Sequence, residues 1–307
     1  MIESLSYFGE LLTGPFNYIA NPQKRIFWLY LLSNGLIAFA ILYGRKHSIF
    51  EILRAGFSTR TWFNSSSLLD LQWIFLNHVI NRILIIPLLG GQIAFALGVN
   101  RILSLHFGEG NFIHWHGLSV SVCFTLCLFL CDDFSRFYVH YLYHKIPQLW
   151  RFHAIHHSAE SLTPLTLYRI HSVEMLLNSM RSLVVTGTLS GIFIYCFDGA
   201  IDTIQILGAS LFNFLFNMAG ANLRHSSVWL GFGRLENFFI SPAQHQIHHS
   251  ARARHLDKNF GAILAIWDRW FGSWLASEGQ QINSFGLVHR KVEQHLGKQL
   301  FGLSNNH

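Results

Sequence analysis

Apolar and polar positions fall in long alternating blocks along this chain, not in the short repeats of a water-soluble domain. Residues 26–43 form an uncharged apolar run bracketed by Lys24-Arg25 and Arg45-Lys46. Such a length of helix nearly crosses a hydrocarbon core of about 30 Å, which makes this the clearest spanning segment. A second run, 71–99, is interrupted by Arg82, Pro87 and Gly90-Gly91, and is either one broken helix or an interfacial piece followed by a span. Residues 112–131 make a third. Two more runs, 183–197 and 200–219, flank Asp198-Gly199, whose polar and permissive residues suit the turn of a helical hairpin. Between and after these runs lie two polar segments, 132–182 and 220 to the end. A hairpin at 183–219 crosses twice and brings them to the same side.

Composition supports the membrane reading. Of the 307 residues 51% are hydrophobic, 12% are charged and 28 are Phe, with a mean hydropathy of +0.31. Soluble domains average about 25% charged residues, and one compact core cannot hide this much apolar surface. The same numbers exclude disorder, and four Cys make no disulfide framework. The net charge of +6 comes without a dense basic stripe, so anionic lipid headgroups, not nucleic acid, are its expected counter-charge. Eleven of the 22 Lys and Arg fall in 132–182 and 220–275, which places these segments on the cytoplasmic side, although Lys24 and Arg25 argue the other way. The start Met1-Ile2-Glu3-Ser4 lacks a basic n-region, and no cleaved signal peptide is expected.

The polar segments are rich in patterned histidine. His140 and His144 are four apart; His153, His156 and His157 form HxxHH, and His245, His248 and His249 repeat it. On a helix each set lies within an arc of about 100° and offers two or three imidazoles together. A wet interface lined by histidines explains neither the repetition nor its confinement to these places. One Zn needs three or four ligands, so eight imidazoles predict two ions. Zn has no redox chemistry, and a site fed by apolar spans suits oxygen chemistry on an unreactive hydrocarbon, which favours iron. GxGxxG, GxxxxGK[ST], HExxH, GxSxG and CxxC are all absent.

These residues also resemble a known family. Asp133-Phe134 through His140 and His144, then Pro147, Leu149-Trp150-Arg151-Phe152-His153 and His156-His157-Ser158-Ala159-Glu160, are similar to the central motif of the fatty acid hydroxylase superfamily, in its sterol desaturase-like branch. Leu165-Thr166, Arg169-Ile170-His171 with Glu174, Gly233-x-Leu235-Glu236, Pro242, His245-x-x-His248-His249-Ser250, Asn259-Phe260-Gly261, Trp267-Asp268-Arg269 and Phe271-Gly272 follow in the same order. The likeness covers 132–275. It implies an all-α, polytopic membrane protein with about four to five transmembrane helices and a cytoplasmic helical cap holding a histidine-rich dimetal site.

On this reading 1–307 is a single integral-membrane domain with 132–275 as its catalytic region. The chain would use O2, two Fe ions (Zn replacing them on purification) and electrons from a separate reductase or small redox carrier. It would hydroxylate, or desaturate, a C–H bond of a lipid or sterol-like substrate. His225 stands where the family has a His-x-Asn element, with Ser227 in place of the Asn, and is implied as a ninth ligand. His171, in its Arg-x-His setting, is either a tenth or a residue that orients one; Glu160, Glu174 and Asp133 are further orienting candidates. Cys123, Cys127 and Cys131 are apolar packing residues, and His114 and His116 flank Trp115 in an interfacial aromatic belt. His47, His78, His106, His255, His289, His295 and His307 lack ligand spacing, and Trp267-Asp268-Arg269-Trp270 anchors a helix or closes the cap. The competing reading is a di-zinc membrane hydrolase acting on a lipid ester or amide. It would use carboxylate ligands and a general base, whereas these clusters are almost purely imidazole. Metal transport would need polar ligands inside the spans, and haem ligation would need paired His deep in facing helices.

Overall fold

A computed structural model describes residues 9–11, 13–197, 202–207, 209–288 and 292–303. The first apolar run becomes α1 (Trp28–Gly44), which begins after Phe27 adopts an extended conformation. Its Ser33 and Asn34 reach the carbonyls of Met218 and Asn217, which ties α1 to the returning chain. The amphipathic α2 (Ile49–Gly56) opens with Ser48 and Glu51 capping each other's backbone, and α3 (Ser65–Ile80) opens on Asn64, which accepts the Ser67 N–H. After α3 come a π-helical turn at Asn81–Ile85, a one-turn helix at Ile86–Leu89 and α4 (Gln92–Phe107). Arg82, Pro87 and Gly90-Gly91 thus mark one broken helix. Proline removes a backbone donor and the wider turn absorbs the misfit.

The third run starts later and ends later than the hydropathy predicts. α5 (Gly117–Lys145) has 29 residues, long enough at about 43 Å to clear a bilayer core and carry His140 and His144 beyond it. α6 (Pro147–His157) follows at once, with Pro147 in its first turn. The expected hairpin over 183–219 needs correction. α7 (Ser172–Cys196) is one long helix, but the return consists of the two-residue strands β1 (Gln205–Ile206) and β2 (Ala209–Ser210) and the eight-residue α8 (Leu211–Met218). At about 12 Å, α8 cannot cross a membrane. Thr203 and Gln205 break the apolar run, and the Ile204 N–H leaves the helical pattern to donate to Thr125 Oγ1. The Asp198-Gly199 turn lies outside the described residues, as do Met1–Ser4, His289 and His307.

Among the described residues three helical stretches are long and apolar enough to span: Ser65–Phe107, Gly117–Lys145 and Ser172–Cys196, with the shorter α1 beside them. α4 and α7 make the most extensive pairing. At Gly191 a Cβ would stand 2.5 Å from the Ala96 carbonyl, so only glycine allows this approach. Arg169, fully buried, pairs with Asp70 at 2.6 Å and also bonds Ser66, Ser158 and Gln294. It thereby fastens the start of α3, the end of α6 and the C-terminal segment to one another.

Candidate metal centre

The ends of α5 and α6 meet two further elements, a tight turn at Ala221–His225 and α9 (Pro242–His248), which Ser241 and Gln244 cap reciprocally. Nine imidazoles converge there in two groups: His140, His144, His153, His157 and His248, and His156, His225, His245 and His249. Within each group the ligand atoms lie within 4.8 Å of one another. Helix geometry explains the division. Residues i and i+4 point about 40° apart, whereas i+3 and i+4 diverge by about 100°. Each HxxHH therefore gives its outer pair to one group and its i+3 member to the other: His153 and His157 against His156, then His245 and His249 against His248.

The donor set fits metal ions. Nε2 atoms face one another at 3.0 Å (His140–His248), 3.2 Å (His144–His157, His153–His157, His225–His245) and 3.3 Å (His225–His249). Two nitrogens at right angles and 2.1 Å from one ion stand about 3.0 Å apart. One proton per ring cannot satisfy so many facing lone pairs. Burial pushes His153 and His156 down to about 3, and holds His157, His225, His245, His248 and His249 well below the ordinary imidazole range. These rings are neutral at pH 7, the form that binds metal.

Four of the five outer nitrogens in the five-histidine group face an oxygen. His140 Nδ1 donates to the Phe260 carbonyl and His248 Nδ1 to that of Lys258, both at 2.8 Å. His153 Nδ1 lies 3.1 Å from Glu174 Oε1, and His144 Nδ1 lies 3.5 Å from Asp257 Oδ1. The two hydrogen bonds fix the His140 and His248 rings with their Nε2 lone pairs turned inward, while the Glu174 and Asp257 carboxylates stand beside the outer nitrogens of His153 and His144. In the four-histidine group, the Nδ1 atoms of His156, His245 and His249 are buried without a partner among the described residues.

Asn259-Phe260-Gly261 and Asp268 explain how the two carbonyls are aimed. Asp257 and Asn259 adopt left-handed conformations, which Asp and Asn tolerate. Asp268 accepts the Phe260 and Gly261 N–H groups at 2.7 Å and the Ser273 hydroxyl at 2.6 Å. A Cβ on Gly261 would collide with Leu264, Ile240 and Asp268. Asp268 is thus a buried clamp for this loop, and burial raises it to about 6.

The other sequence candidates are placed elsewhere. His171 lies outside both groups: it caps α7, accepting the Val173 N–H, and its Nε2 sits 2.9 Å from the Leu300 carbonyl. Among the acids, Glu174 alone of the three reaches a histidine. Asp133 takes the N–H groups of Ile263, Leu264 and the Trp267 indole, and Glu160 is exposed. Sequence spacing missed Asp257, a single acid in a basic stretch, and the Phe260 and Lys258 carbonyls, which no residue type announces. A cavity of about 360 Å³ reaches both groups, with His140, His153, His156, His225 and His245 on its wall.

An arrangement of this kind joins two histidine groups able to hold metal to helices long and apolar enough to cross a membrane. Residues 125–273, just under half of the chain, match the fatty acid hydroxylase family. The chain is 27% identical over 161 residues to alkylglycerol monooxygenase from Homo sapiens, covering 52% of this chain and 32% of that protein. It is 26% identical over 162 residues to the same enzyme from Caenorhabditis elegans, covering 53% and 29%. Against ornithine lipid hydroxylase from Rhizobium tropici it is 31% identical over 146 residues, covering 46% and 39%. The chain thus spans about a third of the length of these relatives. No solved structure matches it significantly.

Proposed function

We propose that this chain is an integral-membrane, multi-pass non-haem diiron oxygenase that uses O2 and external electrons to hydroxylate a C–H bond of a lipid. The observation that carries the reading is the pair of imidazole groups, five and four strong, both reached by one cavity. One relative is named a monooxygenase of alkylglycerol and another a hydroxylase of ornithine lipid, which favours hydroxylation over desaturation. Two iron ions, when bound, supply the reduction of O2 and the oxidising power for a C–H bond. The residues do the rest. The nine imidazoles, including His225, hold the ions, and Glu174, Asp257 and the 258 and 260 carbonyls orient the rings. Leu167, Ile170, Phe260 and Ala262 give the cavity an apolar wall against which a hydrocarbon can lie without water. His171 is assigned to capping α7.

The three long stretches together with α1 make four helical spans, or five if the break at 81–91 separates two crossings, and the chain after α7 returns through 202–218 to the histidine side. The basic residues of 132–182 and 220–275 put the histidine region, as a cap, on the cytoplasmic side. Electrons are supplied by a separate reductase or small carrier. The test is metal content and turnover of anaerobically purified protein. Two Fe per chain and a reductant- and O2-dependent lipid product heavier by one oxygen are expected, and His156→Ala or His248→Ala abolishes that product. Zinc retained under iron-replete expression, with lipid hydrolysis and no O2-dependent product, would replace this reading with the hydrolase.

A further inference from the structure

The cavity beside the histidines carries positive charge that metal binding does not require. Four arginines line it: Arg25 ahead of α1, Arg136 on α5, Arg181 on α7 and Arg224 immediately before His225. Arg136 and Arg181 share one carboxylate, Asp132, at 2.7 Å each. Arg25 and Arg224 have no ion-pair partner among the described residues. Their guanidinium groups both lie over the Phe216 ring, 5.2 and 4.5 Å from its centre. Arg224 is 3% exposed; it donates to the Ile240 carbonyl at 3.0 Å and leaves its Nε buried without a partner. Among the described residues the one acid on the cavity wall, Glu174, faces His153. Buried charges are costly and are ordinarily paired, so two unpaired guanidinium groups on one cavity call for an anion.

We propose that this cavity is the headgroup site of an anionic lipid substrate, whose phosphate or carboxylate is held by Arg25 and Arg224 with Arg136 and Arg181 beside them. Guanidinium groups recognise such oxyanions in a bidentate fashion and stack on aromatic rings, as both do here. The apolar part of the wall and the long helices that carry Arg136 and Arg181 favour a lipid over a free ion. The proposal rests on the oxygenase reading and adds a position to it. Arg136 precedes His140 by one helical turn, about 6 Å, and Arg224 adjoins His225, so the bound anion sits next to the metal groups. Oxidation therefore falls on the part of the lipid nearest its headgroup, not at the far end of an acyl chain.

The test is native mass spectrometry of the full-length protein in detergent under argon. It is incubated with phosphatidic acid, with diacylglycerol of the same acyl chains, or with inorganic phosphate. Phosphatidic acid should be retained at least tenfold better than diacylglycerol. The Arg25 side chain makes no hydrogen bond among the described residues, so Arg25→Gln should lower that retention about tenfold and Arg25→Lys should restore part of it. Arg224→Gln should act in the same direction. Equal retention of the two lipids, or retention unchanged in both glutamine variants, overturns the proposal. So does arginine-dependent binding of inorganic phosphate with no preference for phosphatidic acid over diacylglycerol. Since nothing is oxidised under argon, retention is read whether or not the protein is an oxygenase. Turnover without anion preference would sink the headgroup site and leave the oxygenase. Where product forms, tandem mass spectrometry should place the new oxygen near the headgroup, and a chain-terminal position contradicts the geometry.

Discussion

Glu174→Gln asks whether a buried carboxylate sets the metal affinity of the five-histidine group. Glu174 Oε1 is 3.1 Å from His153 Nδ1, with the two side chains 7% and 4% exposed. Gln preserves shape but removes the negative charge beside Nδ1 that makes the opposite nitrogen a better donor. Loss of such a partner typically costs about 10–100-fold in metal affinity, or about 1.4–2.7 kcal/mol. In the metal-free protein the sign reverses. A buried ionised carboxylate costs several kcal/mol to desolvate, and Oε2 of Glu174 has no partner, so the amide should raise the melting temperature of the stripped protein. Asp257 provides a comparison in the same group. It stands 3.5 Å from His144, is 44% exposed and already pairs with Lys145, so Asp257→Asn should change affinity less than about fivefold. Chelator-competed Fe(II) titration under argon, with thermal unfolding of the stripped proteins, measures both effects. Wild-type affinity in Glu174→Gln, or a larger effect from Asp257→Asn, would refute the argument.

Acid should unfold the metal-free protein. Imidazoles titrate near 6.5 when unfolded, whereas seven of the nine (His153, His156, His157, His225, His245, His248 and His249) are held far lower in the fold. The unfolded state then binds more protons as pH falls below 6.5, and each ring removes about 1.4 kcal/mol of stability per pH unit. Circular dichroism should show a cooperative transition near about pH 5–6, moved lower by bound iron, and a stripped protein that stays folded at about pH 4 contradicts this. Arg169→Met leaves Asp70 buried and unpaired, so denaturant unfolding should show a loss of about 3–5 kcal/mol, with 292–303 newly cleaved by protease. Gly191→Ala forces a Cβ against Ala96 and Val99 and should cost about 1–3 kcal/mol, while Gly98→Ala, with open space around it, should leave the melting temperature nearly unchanged.

Much of this protein is legible in one dimension because its signals are local. A long uncharged run is enough to specify a helix that lipid can surround, and α1, the broken 65–107 stretch, α5 and α7 all lie under such runs. HxxHH spacing is a statement about one helix face, so the eight patterned histidines stand out before any folding. His225 does not: it sits in a tight turn without periodicity, and only its likeness to a family element marks it. The 200–219 run misled because apolar content alone cannot distinguish a crossing helix from a return that bends at Thr203–Gln205.

Sequence by itself determined the residue types, the long apolar helices and a supply of imidazoles large enough for two ions. Tertiary structure alone decided how the histidines divide, since the partition depends on α6 and α9 facing each other with their i+3 residues crossed. It also decided which acid meets a ring, giving Glu174 to His153 and Asp133 to the 263–267 backbone. Arg25 and Arg224, 199 positions apart in the sequence, become neighbours over Phe216 only when the chain returns along α1. Contacts of that separation leave no periodicity in the sequence, because they depend on where whole helices pack, not on how one of them is wound.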